Sequence, residues 1–285
     1  HNTINMGVFM LKLVILIIYF AVLIGIGLYC RKHATDVNGF VLGGRSVGPW
    51  LTAFAYGTSY FSAVVFVGYA GQFGWKYGIA ATWAGIGNAI IGSLLAWVVL
   101  GRRTRIMSQH LDSATMPQYF GKRFGSNPLK IGASVIIFIF LIPYTASLYN
   151  GLSRLFGMAF NIDYSVCIII MATLTAIYVI AGGYMATAIN DFIQGIIMLF
   201  GIVAVIAAVI HSKGGFMSAL QGLANVSDPA VSDTPGIFAS FFGPDPFNLL
   251  CVVILTSLGT WGLPQMVQKF YAIDNEASIQ KGTVI

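Results

Sequence analysis

Charge is what this sequence has least of. Only 8% of its 285 residues are Asp, Glu, Lys or Arg, against roughly a quarter in an ordinary soluble domain. That scarcity excludes a water-soluble class. Cysteine is scarce too: Cys30, Cys167 and Cys251 have neither metal-ligand spacing nor an obvious disulfide partner, and they read as packing residues. The histidines do not cluster. His33, His110 and His211 fall in separate loops or at span ends, which leaves an integral-membrane enzyme without a nucleophile or metal set. No G-x-x-x-x-G-K-[ST] stretch occurs, so nucleotide-driven machinery is not expected.

What is abundant is apolar: 57% of residues, with a mean hydropathy of +0.82. These residues are clumped into stretches of about twenty, the length that crosses roughly 30 Å of hydrocarbon as a helix. Seven spans are expected, near 8–29, 50–73, 78–100, 131–158, 163–181, 188–210 and 246–268. The first is too long for a cleaved signal peptide and has no small-residue cleavage site before Arg31. The last residues, Gly282 to Ile285, look like the opening of an eighth span, so the sequence reads as truncated.

The net charge of +6 is explained by where the cations fall. One side collects Arg31, Lys32, Arg45, Arg102, Arg103, Arg105, Lys122, Arg123, Lys130, Lys269 and Lys281; the other holds Lys76, Arg154 and Lys213, and Lys12 can snorkel. Positive-inside bias therefore predicts a multi-pass protein of the inner cell membrane with its N-terminus outside. The basic residues report orientation in a lipid bilayer and do not indicate a nucleic-acid partner.

Residues 31–49 and 101–130 are expected as inner loops, the second with a short interfacial helix begun by the Thr115 cap and Pro117. Residues 211–245 form the one sizeable outer loop, with a short amphipathic helix over 214–225. Small residues in the third span (Gly85, Gly87, Ala89, Gly92, Ser93) predict close helix packing. Trp50, Trp75, Trp97 and Tyr164 read as interfacial belt residues.

Two spans are not plain helices. The second carries the polar patch Tyr56-Gly57-Thr58-Ser59-Tyr60-Phe61-Ser62-Ala63, and the seventh carries Thr256-Ser257-Leu258-Gly259-Thr260-Trp261-Gly262-Leu263-Pro264-Gln265. Glycines and a proline weaken the helical ladder there. Backbone left unpaired at membrane depth costs several kcal/mol per group, so such breaks are kept mainly where a cavity or ion uses them. Gly and Pro are also frequent in ordinary membrane helices. The pairing favours the functional reading, because secondary transporters place interrupted helices at corresponding positions of two repeats. One acid looks intramembrane: Asp191, near the cytoplasmic start of the sixth span. It is either a cation partner or proton site, or an acid stabilising a helix N-terminus.

At these residues the sequence resembles the sodium/solute symporter family of bacterial proline, pantothenate, sialic acid and galactose symporters. The resemblance is carried by Phe40 to Trp50 (FVLGGRSVGPW), by Thr115 to Phe124, by Ala181-Gly182-Gly183-Tyr184-Met185-Ala186 running into Asp191 and Gln194, and by Gly259 to Pro264. It implies an all-α transmembrane, leucine-transporter-like inverted-repeat fold. An extra helix would occupy 1–30, a first five-helix repeat 50–210, an extracellular loop 211–245, and the sixth core helix with the start of the seventh 246–285. The resemblance also implies a sodium ion held by backbone carbonyls of Thr58 and Phe61, with Asp191 matching the family's acid linked to sodium. Candidate solute contacts are Ser59, Tyr60, Ser62, Tyr144, Thr256, Thr260 and Pro264. Thr256 and Thr260 stand where proline symporters carry Trp and Tyr, which disfavours proline. Tyr60 replaces their acid, and Val65 replaces the Gln that contacts sugar in galactose symporters, which disfavours a hexose. The implied function is sodium-coupled symport of a small, carboxylate-bearing organic solute by alternating access. The alternative is a symporter-like sensor module of a larger signalling protein.

Overall fold

The computed structural model describes residues 2–61 and 69–285; Ser62 and Val65 lie outside the described residues. Every element is helical, and no strand occurs among the described residues. In chain order the helices are α1 (Asn2–Cys30), α2 (Val37–Leu42), α3 (Pro49–Tyr60), α4 (Ala70–Tyr77), α5 (Thr82–Gly87), α6 (Arg102–His110), α7 (Met116–Phe124), α8 (Asn127–Phe160), α9 (Tyr164–Ser212), α10 (Phe216–Ala224), α11 (Pro246–Gly259), α12 (Pro264–Ala272) and α13 (Glu276–Val284). Among the described residues, four helical runs are long and apolar enough to cross a membrane, and a fifth if the bent pair α11–α12 is one span. The chain is a multi-pass membrane protein.

Seven expected spans become fewer helical runs for a local reason. Two glycines turn corners without interrupting the hydrogen-bonded run. Gly78 (φ +61°, ψ −139°) ends α4, and Gly183 (φ +56°, ψ −146°) divides the 49 residues of α9. This backbone region is essentially closed to residues with a Cβ. A Cβ at Gly78 would also lie 2.1 Å from the Phe238 carbonyl oxygen, and one at Gly183 2.8 Å from that of Phe40. The expected fifth and sixth spans are thus the two arms of α9 on either side of Gly183.

The third span starts at the Gly78 corner but does not stop at 100. It passes through wide π turns at Asn88–Leu95 and Trp97–Gly101 and continues into α6. Arg102, Arg103 and Arg105 are therefore helical, and the expected inner loop is shorter. The expected interfacial helix is α7. The Thr115 hydroxyl accepts from the Gln118 amide at its N-terminus, with proline in the first turn. The short helix expected over 214–225 is α10.

Small residues in the third span admit close neighbours. A Cβ on Gly87 would meet Val253 of α11 at 2.2 Å, and one on Gly92 would meet the Tyr60 hydroxyl at 1.9 Å. Trp97 corrects the belt reading. It is 4% exposed and packs edge-on against Tyr56 and Phe270, at 5.6 and 5.2 Å between ring centres. Trp50, Trp75 and Tyr164 are exposed.

The GGR motif has a mechanical role. Gly43, Gly44 and Arg45 all adopt positive φ, and for Arg45 that strain is of order 1–2 kcal/mol. Its guanidinium holds the turn in place by donating to the Ser108 hydroxyl and carbonyl, to the Tyr271 carbonyl and, at 2.7 Å, to the Ser113 carbonyl. Arg105 donates to the carbonyls of Ile273 and Asp274 at 2.6 and 2.8 Å. The Val47 amide donates to Ala272 O, and the Asp274 amide donates to Val47 O. Carbonyls that α12 leaves unpaired at and beyond its C-terminus are thereby satisfied.

Candidate solute and cation site

The seventh span breaks where its glycines and proline stand. α11 ends at Gly259, a 3₁₀ turn covers Thr260–Gly262, and Leu263 is extended (φ −70°, ψ 126°). α12 then leaves at 51°. Pro264 occupies the first turn of α12. There its missing N–H and fixed φ favour starting a helix, so it initiates the second half rather than kinking a continuous rod. Across from this break, α3 ends at Tyr60, with Phe61 at φ −89°, ψ 66°.

Between the two ends lies a cavity of about 560 Å³. Its aromatic wall comes from Tyr60, Phe61, Tyr69 and Phe73, and its polar wall from Asn88, Thr256 and Thr260. No described lining residue carries a full charge.

One amide organises the polar wall. The Tyr60 hydroxyl donates to Asn88 Oδ1 at 2.5 Å. Asn88 Nδ2 donates to the Ala84 carbonyl at 2.7 Å and to Thr256 Oγ1 at 3.0 Å. Thr256 in turn can donate to Val252 O at 2.8 Å. Thr260 Oγ1 sits 3.2 Å from the Tyr60 oxygen and 2.9 Å from the Ser257 carbonyl, and donates to one of them at a time. Asn88 opens the first π stretch, the kind of local widening found often at functional sites. From the middle of that stretch, Ile91 O accepts the Trp261 indole N–H at 3.0 Å. Three segments distant in sequence are therefore fastened around neutral hydrogen bonds.

Tyr60, Thr256 and Thr260 are brought together; Phe61 lines the same cavity. Pro264 starts the helix beyond it and does not line it. Thr58 lies in the last turn of α3; its methyl group faces Gly195 of α9. Ser59 is half-buried outside the lining. Tyr144 sits on α8, also outside the lining. Asp191, on α9, pairs with Lys269 of α12 at 3.6 Å. Among the described residues no group of His, Cys, Asp or Glu could hold a metal by clustering.

Sequence reasoning missed two residues. Asn88 is the one amide in a long apolar span, a signal that was there to be weighed. The sequence places Lys269 among the cations that follow the seventh span, but it is 6% exposed within α12. A helix-starting proline five positions earlier is the signal that favours this.

The family description "Sodium:solute symporter family" matches residues 40–285. The osmoregulated proline transporter of Bacillus subtilis (strain 168) is 31% identical over 259 residues, covering 90% of this chain and 51% of that protein. The sodium/proline symporter of Staphylococcus aureus (strain JH9) is 32% identical over 282 residues, covering 94% of this chain and 51% of that protein. The chain spans about half the length of the curated relatives it matches. With a broken span facing the end of α3 across a neutral cavity, and a match over 40–285, this chain belongs to the sodium:solute symporter family.

Proposed function

We propose that the protein is a secondary active transporter of the inner membrane, its N-terminus outside, which couples sodium entry to symport of a small organic solute by alternating access. The observation that carries this reading is the neutral cavity at the break of the seventh span, closed by Asn88 between Tyr60 and Thr256. Unwound backbone is retained at membrane depth where it lines a cavity.

In this reading the solute lies between the aromatic wall and the Asn88–Thr256–Thr260 edge. Sodium takes oxygens from the backbone of Thr58 and Phe61, and Asp191 serves its binding or its inward exit. A wall without full charges suits a solute whose own charges cancel, or whose carboxylate is neutralised by the sodium beside it. The relatives named for proline make an imino acid the first candidate. The aromatic wall supplied by Tyr60, Phe61, Tyr69 and Phe73 meets the objection drawn from the missing Trp and Tyr of the seventh span. The sensor alternative has no observation in its favour.

The driving force is sufficient. Each charge moved inward across 100 mV gains about 2.3 kcal/mol, and a tenfold sodium ratio adds about 1.4 kcal/mol. One sodium can support accumulation of a neutral solute by roughly several hundredfold.

The test is uptake by the full-length protein in proteoliposomes, across proline and a panel of small carboxylates, with and without a sodium gradient. Sodium-driven accumulation is expected for at least one of them, and Asp191→Asn should weaken its sodium dependence. Uptake indifferent to sodium for every solute would sink the proposal.

A further inference from the structure

A chain this poor in charge sets two of its charges against each other inside the fold. Lys269 Nζ on α12 lies 3.6 Å from Asp191 Oδ2 on α9, with side chains 8% and 23% exposed. The other ion pair among the described residues, Arg102–Glu276, is open to its surroundings. Removing one partner of a buried pair strands the other as an uncompensated charge. Whatever draws the ammonium away must therefore bring another cation to Asp191.

The pairing is loose. A separation of 3.6 Å exceeds hydrogen-bond range, so charge and not a directed bond holds it. The ammonium at the same time lies over the Tyr184 ring, 5.1 Å from its centre, so part of its stabilisation does not depend on Asp191. Two buried polar groups on the same helix, the Tyr184 hydroxyl and the Asn190 amide, have no hydrogen-bond partner. A half-buried carboxylate whose counter-charge is carried by a long side chain on another helix is an arrangement a small cation can enter.

We propose that Lys269 is a tethered cation that competes with sodium for the Asp191 carboxylate. This rests on the sodium coupling proposed above. Sodium arriving at Asp191 releases the ammonium towards the Tyr184 ring. When sodium leaves, the ammonium returns, and the carboxylate never stands bare. Because α12 is the inner half of the broken span, ion occupancy is tied to the position of that half-helix.

The test is sodium binding to the purified full-length protein, measured directly with radioactive sodium. Lys269→Gln is expected to tighten binding by at least about fivefold, the lower end of ordinary coupling between sites, while Lys269→Arg stays near the wild type. In the Asp191→Asn background, Lys269→Gln should have no effect, since the object of competition is gone. In the wild type, sodium should also speed modification of Lys269 by an amine reagent, relative to choline at equal ionic strength; this arm needs no variant to fold. Unchanged or weaker binding in Lys269→Gln overturns the competition and leaves symport standing, as does labelling that sodium slows or leaves alone. A wild type that binds no sodium overturns both.

Discussion

Asn88 shows how much one side chain settles in an apolar protein. Its amide has three described partners on two other helical segments and its own, and no charge is involved. Leucine at this position keeps the volume but removes the acceptor of the Tyr60 hydroxyl at 2.5 Å and the donor to Thr256 Oγ1, leaving the hydroxyl the longer contact with the Thr256 carbonyl at 3.3 Å. Losing such buried bonds costs about 1–3 kcal/mol. Asn88→Leu is therefore expected to raise the solute KM by about tenfold or more, with sodium binding retained. Uptake kinetics at saturating sodium, beside sodium binding, check both halves. A residue of this kind is hard to find from its neighbours, because its spacing has no period and its partners lie 28 and 168 positions away. Trp97 makes the complementary point. An aromatic ring near the end of an apolar run is composed alike whether it meets lipid headgroups or the Tyr56 and Phe270 rings; packing alone sends it inward.

At the scale of elements, breaks were more legible than contacts. Glycine and proline act on the backbone where they stand, so the interruption of the seventh span could be placed to within a few residues. Its form could not: Pro264 opens a new helix after one extended residue. The corners at Gly78 and Gly183 fall where the expected spans divide, but which glycine makes the corner was not legible, since glycine is common in membrane helices for several reasons. Gly183→Ala is expected to destabilise the protein, by about 1–3 kcal/mol from backbone strain alone and further from the Phe40 contact. Gly25→Ala is the control. It lies within α1 with nothing within 4 Å of an added Cβ, and should be neutral or stabilising by up to about 1 kcal/mol. Thermal unfolding in detergent should separate the two variants; equal stability would mean that Gly183 is not required by its conformation.

For the whole molecule, the surface around the Gly43–Arg45 turn acts as one piece. Arg45 and Arg105 join the segment before α3, the end of α6 and the chain leaving α12 through backbone carbonyls. Arginine suits this because one planar group presents five donors in fixed directions, whereas lysine brings a single mobile ammonium. Arg45→Lys keeps the charge, yet is expected to lower stability by about 1–3 kcal/mol through unpaired carbonyls. A melting temperature matching the wild type would show that charge alone holds this surface together.

Membrane class, the approximate placement of helices and the position of the broken span could all be derived from residue order. Lipid imposes its demands locally: enough apolar length, few charges, and a reason for every lost backbone hydrogen bond. Those demands are written in consecutive residues. The meeting of Tyr60 with Thr260, 200 positions apart, and the seating of Lys269 against Asp191 came from the packing of helices, because the rotation and depth of one helix against another depend on every side chain between them.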